Sequence, residues 1–204
     1  MKLAHFNPTS FAIDDVPLDI FTKLQSMVEE AHSHLELNDA GNQDISIRGG
    51  QQIQLVPNEF NLNTEGLKSF IESRCQQFLN SIMNQSGKID LNTYQPCLIS
   101  AWTIKQGPNQ YQAMHSHEAH ISGNIYIEVP DFDEGSNQTD GCIEFRLPVI
   151  RNPDCFIFVD QWRFKPQICK MIIFPSYVPH TVYPWKGHGN RTILAWDVKL
   201  VRKA

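Results

Sequence analysis

The sequence predicts a mainly β protein, a sandwich or barrel with α-helices packed outside it. Three observations lead there. Two stretches within the first 90 residues carry apolar side chains at three- and four-residue steps. After Ser86 the apolar runs become short and rich in β-formers, and turn residues separate them at the spacing of an all-β domain. The length of 204 residues suits one domain, read as a helical N-terminal extension over 1–90 and a β core over 91–204.

The first helix is predicted from 17 to about 35. Ile20, Phe21, Leu24, Met27, Val28 and Leu35 make its apolar face, Pro17 suits a first turn, and Gly41 lies beyond the end. The second runs from about 64 to 83. Leu67, Phe70, Ile71, Cys75, Phe78, Leu79 and Ile82 form its stripe, with Asn63 or Thr64 as N-cap. Strands are expected over 97–104, 121–129, 142–146, 156–159, 169–174 and 192–198. Gly107-Pro108, the segment 130–141, Asn152-Pro153 and the segment 187–190 supply the turns, and the acidic loop 131–141 is expected at the surface.

Composition narrows the class. Charged residues make 19 %, too few for charge-driven disorder. No apolar run approaches the roughly 18 residues of a spanning helix, so no membrane partner is expected. Asn7, Pro8, Asp14 and Asp15 interrupt the stretch that a signal peptide keeps apolar, and the five cysteines are odd in number without a CxxC pair. A soluble cytoplasmic protein with free thiols is the expectation. Residues 1–140 hold 7 Lys+Arg against 18 Asp+Glu (−11), and residues 141–204 hold 10 against 4 (+6). No Lys/Arg run accompanies that asymmetry, so nucleic acid is not an expected partner.

The chemistry concentrates in histidines. Three fall within HSHEAH (115–120). On an extended strand His115 and His117 share a face and His120 turns away. His180, in FPSYVPHTVYP (174–184), lies 63 residues on, a separation that suits closure across a small barrel. Three imidazoles so arranged make a tripod for Fe, Zn, Cu or Ni with open positions left over. The plainer alternative places His115 and His117 on an exposed strand without a metal. Eleven residues past His180, beyond the turn WKGHGN (185–190), Arg191 begins the run RTILAWDV, with Ile193 and Ala195 on its face. Inside a barrel an Arg needs a partner, and a carboxylate matches its fork. Turned outward, it pairs with Asp197 or solvent instead.

These residues resemble the iron(II)/2-oxoglutarate-dependent oxygenases, and most of all the prolyl-hydroxylase-like branch found in bacteria and phages. The likeness covers about 97–199. It rests on HSHEAHISGNIYIEVP (115–130), the strand at 141–145, and MIIFPSYVPHTVYPWKGHGNRTILAWDV (171–198). It implies a double-stranded β-helix, the jelly roll that cupins share, with the metal inside one end. It further implies Fe(II) on His115, His117 and His180, and 2-oxoglutarate with its distal carboxylate on Arg191. Tyr126 and, two residues earlier, Asn124 are implied as further cosubstrate contacts. O2 completes the reaction, and a C–H bond of a peptide or a small metabolite is the expected target.

Two positions depart from the pattern. The superfamily commonly pairs two His with one carboxylate, written His-x-Asp, and here the carboxylate position is His117. Many relatives place a hydroxyl residue two positions after the Arg, where this chain has Ile193. An all-imidazole tripod also suits a cupin-like metal protein with other chemistry. A β-sandwich binding module without catalysis is the third reading. Trp102, Tyr111, Trp162, Tyr177 and Trp185 are candidates for lining the mouth of the site.

Overall fold

The computed structural model describes residues 1–6, 9–33, 47–56, 65–86, 93–147 and 160–203. The chain opens with strands β1 (Lys2–Phe6) and β2 (Thr9–Asp15), helix α1 (Leu18–Ser33), strands β3 (Ile47–Arg48) and β4 (Gln51–Val56), and helix α2 (Glu65–Ser86). Strands β5 (Tyr94–Gln106), β6 (Tyr111–His115), β7 (Ile121–Glu128), β8 (Asp131–Phe132) and β9 (Ile143–Arg146) follow. The chain ends with β10 (Gln161–Phe164), β11 (Lys170–Pro175), β12 (His180–Val182), β13 (Gly187–His188) and β14 (Arg191–Arg202).

Twelve of these strands form two antiparallel sheets that face each other as a jelly roll, and β8 pairs with β13 in a separate ribbon. The larger has the order β1-β2-β11-β7-β14-β5-β4 and the smaller β10-β9-β12-β6-β3. Sequence neighbours are rarely sheet neighbours: β14 lies between β7 and β5, paired with both in long registers. Alternation gives the larger sheet two buried faces. Its outer face carries Ile121, Ile125, Ile127, Leu194, Trp196 and Val198 into one core with Phe21, Leu24 and Val28 of α1 and Leu67, Ile71, Cys75 and Phe78 of α2. Its inner face meets Phe145 of the smaller sheet through Phe11, Tyr126, Ile172 and Phe174. The helices thus pack outside, and the space between the sheets is left for the site. No helix among the described residues is long and apolar enough to cross a membrane.

Several expectations shift. The N-terminal stretch is not helical alone: β1, β2 and β4 extend the larger sheet and β3 joins the smaller. Within β4, Ile53 and Leu55 point to the helices between Gln52 and Gln54, an alternation that marks a half-buried strand. Leu35, Gly41, Asn63, Thr64, the predicted strand 156–159 and the Asn152-Pro153 turn lie outside the described residues. The acidic loop begins in a two-stranded ribbon, because Asp131–Phe132 pairs with Gly187–His188. Gly187 is obligatory there: its φ is 141°, and a Cβ would lie 2.0 Å from the Asp131 carbonyl oxygen. Cys75, Cys97, Cys142 and Cys169 are free thiols, and burial pushes Cys75 up to about 12.

Candidate functional site

One pocket opens between the sheets. Most of the lining residues are there because of a strand face. β14 contributes Arg191, Ile193 and Ala195, β7 Asn124 and Tyr126, and β5 Trp102, Ile104 and Gln106. From the facing sheet, β6 contributes Gln112 and His115, and β12 His180 and Val182.

Three histidines meet at one end. Ring centroids are 4.2 Å apart for His115 and His180, 5.1 Å for His117 and His180, and 5.2 Å for His115 and His117. One ligating nitrogen from each lies within 4.8 Å of the others. The pairing of β12 with β6 sets His180 directly opposite His115. His117 arrives differently from the strand expectation: β6 stops at His115, and 116–120 is a turn. The His117 amide donates to the Ser176 carbonyl at 3.0 Å, and the Ser176 amide to the His120 carbonyl at 3.2 Å, so β11's exit holds the turn. His120 accepts from the Leu200 amide through Nδ1, and Glu118 is exposed; neither joins the cluster.

Hydrogen bonding decides which nitrogens face the cluster. Nδ1 of His115 lies 2.7 Å from the Ala113 carbonyl, that of His180 3.1 Å from the Val178 carbonyl, and that of His117 2.9 Å from Asp197 Oδ1. Carbonyl and carboxylate oxygens accept only, so each Nδ1 carries the hydrogen and each neutral ring keeps its lone pair on Nε2. Nε2 of His117 is buried and has no hydrogen-bond partner among the described residues. Burial, then His115 and His117, hold His180 well below its ordinary value, so it is neutral at pH 7. Three imidazoles with backed Nδ1 atoms are the donor set of a divalent transition metal, and these residues fit one.

Arg191 lies toward the other end, fully buried. Its guanidinium donates to the carbonyls of Gly141 (3.2 Å) and Tyr183 (3.3 Å) and to Gln106 Oε1, and it sits over the Trp185 ring at 4.9 Å. Among the described residues no carboxylate pairs with it. Burial lowers it to about 10, which leaves it a cation at pH 7. It shares the pocket with His180 across the two sheets and is not its strand neighbour. Tyr126 is buried beside it, and burial raises its hydroxyl well above the usual range. Asn124, its hydrogen-bonding neighbour, has a buried Oδ1 without a partner among the described residues.

The aromatic candidates divide. Trp102 stacks on His117 at 5.6 Å, Trp185 supports Arg191, and Trp162 packs on Phe11 away from the mouth. Tyr111 and Tyr177 are on the surface. Two site residues carry no place in the sequence reading of the pocket. Gln106 is the β5 partner of Arg191 in register, a pairing that needs the sheet order. Asp197 continues the alternation Arg191, Ile193, Ala195, and that signal was available.

The family described as "Putative 2OG-Fe(II) oxygenase" matches residues 100–197, just under half of the chain. That span holds all three histidines, Asn124, Tyr126, Arg191 and Asp197. Over that span the chain is similar to the 2OG-Fe(II) oxygenases. That family is named for Fe(II) and 2-oxoglutarate. Solved structures agree on the fold. A Pseudomonas putida prolyl-4-hydroxylase is 16 % identical, with 98 % of this chain and 96 % of that one covered at a TM-score of 0.55. A Trichoplax adhaerens prolyl hydroxylase, in complex with a hypoxia inducible factor peptide fragment, is 17 % identical over 95 % and 85 %, at 0.56. HygX of Streptomyces hygroscopicus, with nickel, 2-oxoglutarate and hygromycin B bound, is 9 % identical over 95 % and 84 %, at 0.52. At these identities the likeness is one of fold. No curated protein matches the sequence.

Proposed function

We propose that this protein is an Fe(II)- and 2-oxoglutarate-dependent oxygenase that hydroxylates a C–H bond of a peptide side chain or a small metabolite, with His115, His117 and His180 holding Fe(II) and Arg191 holding the distal carboxylate of 2-oxoglutarate. The observation that carries the reading is the buried, carboxylate-free guanidinium in the same pocket as the imidazole cluster. An uncompensated buried charge costs several kcal/mol, and carbonyl acceptors offset it in part. A dianion spanning from Arg191 toward the histidines supplies the missing partner and explains why both features share one cavity.

Fe(II), O2 and 2-oxoglutarate together supply the oxidation: one oxygen atom goes to the substrate C–H bond and the other to succinate, with loss of CO2. The chain's own residues bind and orient. The Nε2 lone pairs bind the ion, and the Nδ1 bonds fix the ring planes. Gly141, Tyr183, Gln106 and Trp185 fix the guanidinium, so the fork meets a carboxylate in one orientation. The Tyr126 hydroxyl and the Asn124 amide are the remaining polar partners for the cosubstrate. Ile104, Ile193, Phe174 and Val182 keep the pocket wall apolar and limit water around the reacting groups.

The substrate reaches the histidines from a second opening of about 250 Å³, lined by Gln52, Gln54, Ser100, Ser116 and Trp102 beside His115 and His117. Apart from Asp197 and the histidines its walls are uncharged. Among fold relatives, one is bound to a peptide fragment and another to hygromycin B, so both a peptide and a small molecule fit the scaffold.

The test is an anaerobic titration with Fe(II) and 2-oxoglutarate, reading the weak visible charge-transfer band of the chelate. The band appears in the native protein and is lost in Arg191→Ala. Metal uptake with no response to 2-oxoglutarate favours a cupin-like centre with other chemistry. No metal uptake at all leaves a binding module.

A further inference from the structure

The three rings are backed unequally. His115 and His180 each donate Nδ1–H to a neutral backbone carbonyl, whereas His117 donates to a carboxylate, Asp197. The same oxygen, Asp197 Oδ1, accepts the Ser122 hydroxyl at 2.6 Å. Ser122 Oγ lies 2.8 Å from Ser176 Oγ. A hydroxyl has one hydrogen and the carboxylate takes that of Ser122, so Ser176 donates in turn to Ser122. Both serines are fully buried, and Asp197 stands opposite Ser122 and Ser100 in the registers of β14 with β7 and β5. The Ser176 carbonyl also holds the backbone of His117. Side chain and main chain of His117 are therefore tied to one cluster spanning β11, β7 and β14.

We infer that Asp197 is the positioning residue of the metal centre, supplying through His117 the negative charge that relatives with His-x-Asp place directly on the ion. The inference rests on the histidine reading given above. Three neutral imidazoles leave a divalent ion with its full double charge. A carboxylate hydrogen-bonded behind one imidazole makes that ring a stronger donor and lowers the net charge of the centre by one. The local sum then equals that of two imidazoles and one carboxylate. His117 occupies the carboxylate's place in the motif, and it is the ring with a carboxylate behind it. Asp197 lies at the second opening, with 15 % of its side chain exposed, so its charge acts on the ion mainly through the ring it touches.

Two consequences separate positioning from mere support of the fold. Removing the charge weakens the ion's hold while making the loaded centre more cationic. Metal affinity and 2-oxoglutarate affinity should then move in different directions. Loss of fold or of pocket shape weakens both together. The effect also passes through His117, so it vanishes once that ring is gone.

The experiment measures anaerobic Fe(II) and Co(II) affinities by chelator competition for the native protein, Asp197→Asn, Asp197→Ala and Asp197→Glu. It repeats the Ala change in a His117→Ala background. 2-Oxoglutarate affinity is then read on the Fe(II)-saturated proteins, and thermal unfolding checks that each is folded. Expected are a metal affinity about 10–100-fold weaker for Asp197→Ala, a smaller loss for Asp197→Asn, and partial rescue by Asp197→Glu. 2-Oxoglutarate affinity of the loaded Asn variant is expected to hold or tighten, and the Ala change to have no further effect without His117. A folded Asp197→Ala within twofold of native metal affinity overturns the inference, as do equal losses for metal and 2-oxoglutarate or a full effect in the His117→Ala background. A native protein that takes up neither ion overturns the histidine reading itself.

Discussion

Gly123 shows how tightly single residues are fixed around the pocket. It lies between Ser122 and Asn124 on β7, and Trp196 stands opposite it in register on β14. A Cβ there would lie 2.3 Å from Trp196 Cζ2 and 2.6 Å from the Ile172 carbonyl oxygen, and the second of these is backbone and cannot swing aside. Gly123→Ala is expected to destabilise the fold by about 1–3 kcal/mol, the range for overpacking, read as a lower urea midpoint. Tyr126→Phe removes only a buried hydroxyl from the proposed cosubstrate end. It should weaken 2-oxoglutarate binding about tenfold, the worth of one good hydrogen bond at the upper neutral limit, and an unchanged affinity removes Tyr126 from the site. At this scale much was legible. His-x-His, a late His and an Arg beyond a turn are dense signals, because few other arrangements use them together. His117 was placed beside His115 by strand alternation, yet a turn held by Ser176 puts it there. Asp197 was on the Arg191 face by the same alternation, and its partner became visible only with coordinates.

Among the elements, the helices and the later strands were readable from local periodicity, and the N-terminal strands were not. β1 pairs with β2, and β2 pairs with β11, some 155 residues away in sequence, so nothing local marks their place. β2 nevertheless belongs to the working part of the fold. Its Phe11 is fully buried between the sheets, with ring centroids 4.9 Å from Phe145 and 4.7 Å from Trp162. Phe145 in turn packs on His180 at 5.6 Å. Phe11→Ala should cost about 3–5 kcal/mol, as for other fully buried aromatics, and metal affinity should fall with it because the ring wall behind His180 loses its support. A urea midpoint and a Co(II) titration on the same variant test both; retained stability would show β2 to be an appendage. Removing β2 altogether bares the paired edge of β11, an unprotected strand prone to association.

The whole molecule places the pocket on one face of a sheet and helices on the other, so the helix layer sets how firmly the site's strands are held. His32, in the last turn of α1, joins the layers: its Nε2 lies 3.1 Å from the Thr103 hydroxyl of β5. Burial first, and Lys105 second, push His32 down to about 4, against the opposing pull of Glu128. In the unfolded chain its pKa returns to about 6.5. Between those values the unfolded chain binds a proton that the folded chain refuses, so stability rises with pH there. The contribution is complete above pH 6.5 and is lost as pH falls toward 4. His32→Gln keeps a hydrogen-bonding side chain and removes the titration. Its urea midpoint should therefore fall less steeply than that of the native protein between about pH 6.5 and 4.5. Comparing the two chains cancels what the cluster histidines contribute, since both retain them. Identical slopes would mean that His32 is solvated at its ordinary value and that the helix layer does not depend on a neutral imidazole at the sheet.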